Sequence, residues 1–171
     1  MIFIKYTEIF LIVFFSTILG NLYSRKYDKR VKELEEIKKA SSMFKSKIQF
    51  TYKPISEVFK EIEKRSAPNI GKIFSDACKY MEKYDAEEAW IESVNENKDK
   101  TNLLQTDIDV ILGLSKMLGA TDLEGQINSI KLINDFLENQ ISEAIIDKNK
   151  NEKMLKKLGT SIGLAIAIIL I

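Results

Sequence analysis

The 171-residue chain contains no histidine. That absence removes the usual general base near neutral pH, the Ser–His and Cys–His nucleophile pairs, and the commonest metal ligand. A lone cysteine, Cys78, leaves no intramolecular disulfide to form and suits a reducing compartment. Only two prolines and seven glycines occur, and there is no low-complexity run or internal repeat, so little in the chain opposes helix. An excess of either charge is also missing. The formal net charge is +1, whereas a general nucleic-acid binder carries a basic stripe with aromatics in it, so no nucleic-acid partner is expected. No G-x-x-x-x-G-K-[S/T] loop is present to cradle nucleotide phosphates. Glu88 and Glu92 sit four residues apart, but a carboxylate metal site in a helical bundle wants Glu-x-x-His. Catalytic, cofactor-binding and metal-binding residues are therefore not expected.

What is present is apolar periodicity in a charged background. From Ile9 to Tyr23 no charge occurs, and counting from Tyr6 gives about 18 residues, the minimum to span a bilayer. A cleaved signal peptide would also begin near a charge such as Lys5, but no small-x-small cleavage site follows. Residues 1–23 therefore read as a retained N-terminal membrane anchor. Arg25, Lys26, Lys29, Arg30 and Lys32 should hold the following chain in the cytoplasm. Lys148, Lys150, Lys153, Lys156 and Lys157 mirror them before the apolar tail. From Leu158 that tail is only about 14 residues, and starting at Met154, with the lysines snorkelling, brings it to the lower limit for a span. Residues 154–171 are thus expected to be a short transmembrane or membrane-associated helix, and a tail lying in the interface is the other reading. The domain between, residues 24–153, is expected to be cytoplasmic.

Val31, Leu34, Ile37, Phe44 and Ile48 predict a long amphipathic helix, with residues 48–52 as its end rather than a strand without a partner. Pro54 and Pro68 each suit a helix start. The faces that follow are Ile55, Val58, Phe59, Ile62 and then Ile70, Ile73, Phe74, Ala77, Met81, with Cys78 as a core residue. Asp85 and Glu88 suit the N-cap and N3 positions of a helix anchored by Trp90. Asn95–Lys100 is the most loop-like stretch. Thr106 with Asp109 is expected to cap a single helix running to Leu118. The last helix places Leu123, Ile127, Ile130, Ile133, Leu137, Ile141 and Ala144 at alternating steps of three and four, a seam for packing.

Two candidate interaction features stand out. At Met117–Ile127, Gly119 suits a helix C-terminus, and Thr121 with Glu124 three residues on forms an S/T-x-x-E capping box. Asp122 and Gln126 exceed what that turn needs, although the dipole of the first turn partly accounts for Asp122, which makes them candidate contact residues. Acid is concentrated at Glu82, Asp85, Glu87, Glu88, Glu92 and Glu96, either a solvated helix surface or a docking face for a basic partner.

The order of these segments resembles the stage III sporulation protein AB family across essentially the whole chain. The residues that carry it are Leu118, Gly119, Thr121, Asp122 and Gln126, matching an LG-x-T/S-D-x-x-x-Q pattern, and Tyr52-Lys53-Pro54-Ile55-Ser56-Glu57, which looks like the family's Y-x-x-P-L-x-E. The small residue often found after that tyrosine is missing here. The resemblance implies an all-α fold: an antiparallel bundle of about six helices, related to the cytoplasmic domains of type II secretion inner-membrane platform proteins, between two membrane-anchoring helices. It implies a non-enzymatic platform in the mother-cell membrane facing the forespore. Its partners would be a secretion-type ATPase, the other subunits of a trans-envelope channel and membrane lipid, and self-association is compatible with it. The family has no catalytic residues to carry over. Gly119, Thr121, Asp122 and Gln126 transfer only as turn or docking positions. The alternative is a membrane-anchored regulatory protein that senses a ligand, which would need a polar pocket among the helices.

Overall fold

The computed structural model describes residues 2–51, 53–118 and 122–170, with only part of the side chains near the two chain ends. Among the described residues every regular element is helical. In order they are α1 (Ile2–Thr51), α2 (Ile55–Glu63), α3 (Pro68–Tyr80), α4 (Ala86–Asn97), a 3₁₀ turn (Lys98–Lys100), α5 (Gln105–Leu112), α6 (Ser115–Leu118) and α7 (Leu123–Leu170). The all-α class agrees with the sequence reading. The two expected anchor segments are the outer ends of α1 and α7, continuous with the amphipathic helices beside them. Among the described residues no helix is long and apolar enough to cross a membrane.

The chain forms two compact units, one of residues 1–31 with 143–171 and one of residues 32–142. The core of the second unit comes from the periodic positions named above. Leu34, Ile37, Phe44 and Ile48 of α1, Val58, Phe59 and Ile62 of α2, and Ile70, Ile73, Phe74 and Ala77 of α3 are buried. Full burial of a large apolar side chain contributes roughly 1.5–3 kcal/mol over leaving it in water. α4 packs against α3, α5 and α6 and carries the largest anchor, Trp90. Four rings from four helices meet there. Phe59 lies 5.5 Å from Phe44, 5.2 Å from Phe74 and 5.5 Å from Trp90, and Phe74 lies 5.2 Å from Trp90. The Trp90 indole N–H donates to the Ile111 carbonyl at 2.9 Å, which satisfies its polar atom and ties α4 to α5. Ser41 Oγ is buried beside this cluster with no hydrogen-bond partner among the described residues.

Four local expectations are corrected. The loop does not begin at Asn95, because α4 runs on to Asn97, whose buried amide donates to Asp76 Oδ2 at 3.1 Å and to the Ser93 carbonyl at 3.0 Å. A buried amide with two partners is worth more to the fold than a solvated turn. Thr106 and Asp109 do not cap α5. The helix starts two residues earlier than that cap would set, at Gln105, and Asp107 at its third position reaches back to accept the Leu104 N–H at 2.8 Å. The single helix expected as far as Leu118 is interrupted at Gly113–Leu114, so that α5 and α6 are separate. Cys78, expected in the core, is only half-buried.

Candidate interaction surface

The capping box read in the sequence before α7 falls partly outside what the structure describes. Gly119 and Thr121 lie outside the described residues. Asp122 is itself the N-cap: its Oδ2 accepts the Gly125 N–H at 2.8 Å and its Oδ1 the Glu124 N–H at 3.3 Å. Its carbonyl accepts the Gln126 N–H at 3.0 Å, the first bond of the helix. A carboxylate with two oxygens can satisfy two of the orphan N–H groups of a first turn, and its charge suits the helix dipole. Gly125 makes room for it, since a Cβ there would stand 2.9 Å from Asp122 Oδ2. Asp122 is therefore explained by local structure, contrary to the expectation that it exceeds the needs of the turn. Gln126 is half-buried one turn in.

The six acidic candidates separate. Glu82 lies in the turn after α3. Asp85 is the N-cap of α4 and accepts the Glu88 N–H at 2.8 Å, as the sequence suggested. Asp85, Glu88, Glu92 and Glu96 follow steps of three and four along α4 and are all exposed, whereas Glu87 is half-buried. Glu96 accepts the Tyr80 hydroxyl at 2.6 Å, a bond that holds the phenol above its ordinary pKa, and it lies 3.9 Å from Lys100. Among the described residues no ion pair engages Glu88 or Glu92. The outer face of α4 thus presents two uncommitted carboxylates, flanked by two that also serve the fold.

The inner side of the same helices holds a polar network that the sequence reading missed. Asp76 on α3 is 4% exposed and is met by Lys72 at 2.7 Å, Lys79 at 2.9 Å and the Asn97 amide. Burial pushes its carboxyl up, but the three donors outweigh that and hold it at about 2. Glu33 on α1 is buried too. It accepts the Asn102 backbone N–H at 2.6 Å, the Asn102 amide at 2.9 Å and the Asn69 amide at 3.4 Å, pinning the loop before α5 and the start of α3 to α1. A signal existed for both. Asp76 and Glu33 each adjoin a core residue in helical register, and Asp76 has lysines four before and three after it.

Cys78 donates its thiol to the Ser56 carbonyl at 3.4 Å, and burial pushes its pKa up, the reverse of what a nucleophile needs. A groove of about 440 Å³ runs along α5 and α7, lined by Val110, Gly113, Leu132, Ile133 and Phe136, with Asp109, Lys116 and Ser129 at its edges. Its walls are mainly apolar, unlike the polar pocket a ligand sensor would require. Among the described residues no group of acidic or sulfur ligands could hold a metal ion.

These features define an all-helical protein with a tightly tied inner face and a charged outer one. The family model described as Stage III sporulation protein AB matches residues 5–171, and the chain belongs to that family. The protein named Stage III sporulation protein AB in Bacillus subtilis (strain 168) is 27% identical over 161 residues, covering 93% of this chain and 94% of its own length. A solved structure titled Stage III sporulation protein AB (SpoIIIAB) is similar in fold, with a TM-score of 0.68 at 21% identity, covering 71% of this chain and 98% of that one. The resemblance seen in the sequence is thereby borne out. The relatives are named as sporulation proteins and not as an enzyme family.

Proposed function

We propose that this stage III sporulation protein is a non-enzymatic platform held in the mother-cell membrane facing the forespore. Its helical domain, a bundle of the type II secretion platform kind, docks a secretion-type ATPase of a trans-envelope channel. The observation that carries the docking reading is the outer face of α4, where Glu88 and Glu92 are exposed and unpaired among the described residues while the helix is fixed from behind by Trp90, Ser93 and Asn97. A rigid helix presenting carboxylates suits a basic partner surface, because charge steers association while little ordering cost remains. The membrane reading draws on a separate observation: Leu11, Phe14, Phe15, Leu19 and Leu22 of α1 and Met154, Leu158, Ile162 and Ile166 of α7 are exposed large apolar side chains.

The test is capture of the purified ATPase by the detergent-solubilised full chain. Retention at low salt that weakens as salt rises, and that falls in the Glu88→Gln, Glu92→Gln double variant, is the expected result. Failure to bind at low salt, where such contacts are strongest, rejects the docking role. For orientation, a cysteine introduced at exposed Asp99 in a Cys78→Ser background should be labelled only after the cell membrane is opened. Labelling in intact cells would reverse the topology.

A further inference from the structure

The segments where α1 and α7 turn from apolar to charged are drawn together by two cross-helix ion pairs. Arg30, buried at the seam, donates through Nη1 to Asp147 Oδ2 at 3.0 Å, and Lys148 donates to Asp28 Oδ1 at 2.6 Å. Ser24, Arg30 and Val31 face inward on α1, with Ala144 on α7, and Asp147, Lys148 and Asn151 are half-buried. The pairs run in opposite order along the two helices, so residues 25–30 lie beside residues 147–153. Residues 24–31 and 147–153 together hold seven cations against three acids. Two of those acids, Asp28 and Asp147, are already engaged across the seam. Arg25, Lys26 and Lys29 on α1 and Lys150 and Lys153 on α7 are exposed, and no ion pair engages them among the described residues.

Position makes this more than a solvated charge run. On α1 the cations are followed toward the N-terminus by exposed Leu22, Leu19, Ile18 and Phe15. On α7 they are followed toward the C-terminus by exposed Met154, Leu158 and Ile162. Both helices therefore switch from apolar to cationic at the same level. If the apolar ends enter a bilayer, as the function proposed above requires, the five cations stand at headgroup depth on two sides of one helix pair.

We propose that Arg25, Lys26, Lys29, Lys150 and Lys153 form a basic collar that binds the phosphate headgroups of anionic phospholipids. Guanidinium and ammonium groups in such a cluster are matched by lipid phosphate, and each cation held near an anionic surface adds to the attraction. The two ion pairs have a part in this, because they keep Asp28 and Asp147 from neutralising the collar.

The experiment has two readouts on the full chain. The first is retention in phosphatidylcholine vesicles after alkaline extraction, which tests membrane insertion alone. The second is native mass spectrometry of the detergent-released chain from vesicles of equal phosphatidylcholine and phosphatidylglycerol, scoring which lipid stays bound. Retention together with enrichment of phosphatidylglycerol on the order of tenfold, abolished when all five residues are changed to Gln, is the expected result. A control changing exposed Lys64, Lys83 and Lys116 to Gln should keep the enrichment, which separates the collar from overall charge. Retention without enrichment, or enrichment undiminished in the five-residue variant, overturns the collar and leaves the membrane reading standing. Release of the chain from the vesicles overturns the membrane reading and the collar with it.

Discussion

In the unit of residues 32–142, Phe59 is 2% exposed and meets three other rings, while in the unit of residues 1–31 and 143–171, Phe15 is 58% exposed. Both side chains lie on helices, Phe59 on the apolar face of a charged segment and Phe15 in an uncharged run. The difference is the number of elements available to cover them. Phe59 meets rings from α1, α3 and α4, whereas along the outer ends of α1 and α7 Leu19, Leu22, Leu158 and Ile162 are exposed. Two helices can each bury one stripe, and a helix apolar all round needs a third partner or a lipid phase. The unit of residues 32–142 is thus stabilised by its own packing, and the other leaves large apolar side chains exposed.

The strongest way to break this comparison is to empty the ring cluster. Phe59→Ala should cost about 3–5 kcal/mol, seen as a lower denaturation midpoint in Trp90 fluorescence. A loss below about 1 kcal/mol would mean that the cluster is not the core of this unit.

Next is the buried carboxylate. Asp76→Asn should cost on the order of 1–3 kcal/mol at neutral pH, because Lys72 and Lys79 lose their partner. The folded-state pKa of about 2 lies below the ordinary 3.8, so the native state binds fewer protons in that interval. The stabilisation is therefore complete above 3.8 and is lost as pH falls through about 2, and in the Asn variant that part of the acid-unfolding profile should be flat.

Asp122→Ala removes the α7 cap and should cost about 0.5–2 kcal/mol in thermal unfolding. If Thr121→Ala costs as much and Asp122→Ala nothing, the cap belongs to the threonine after all.

Smallest of all is Leu19→Ala, which should change unfolding in detergent by no more than about 0.5 kcal/mol, since that side chain is already 55% exposed. A cost comparable to Phe59→Ala would erase the contrast between the two units.

Much of the fold was legible before any coordinates. Most of the stripes of α2 and α3, and that of α7 from Ile130 to Ala144, are buried where the periodicity placed them, whereas Leu123 at the head of the α7 seam is exposed; Pro68 opens α3, and Asp85 caps α4. The misreadings share a cause. Asn95–Lys100 looks like a loop because its residues are polar, and Asn97 becomes helical and buried only because Asp76 waits on another helix. Thr106 is an ordinary capping residue by type, yet Asp107 acts instead, a choice between neighbours that depends on where the chain enters its helix, and Asp122 caps α7. The acidic candidates were visible as a composition bias. Which of them remain uncommitted was only partly so: the Asp85 cap is local and could be read, whereas Glu96 has a partner, Tyr80, that only folding brings near.

The sequence by itself determined that this protein is helical, that histidine-dependent chemistry is closed to it, and which face of each long helix is apolar. Those follow from local spacing and residue type, which act within a few turns. Only the tertiary structure decided that four rings from four helices share one centre, that Glu33 and Asp76 are buried acids held by distant amides, and that Asp122 spends its carboxylate on its own helix. Each of these depends on groups far apart in the chain or on the exact residue where a helix starts, and neither is encoded in a period of 3.6.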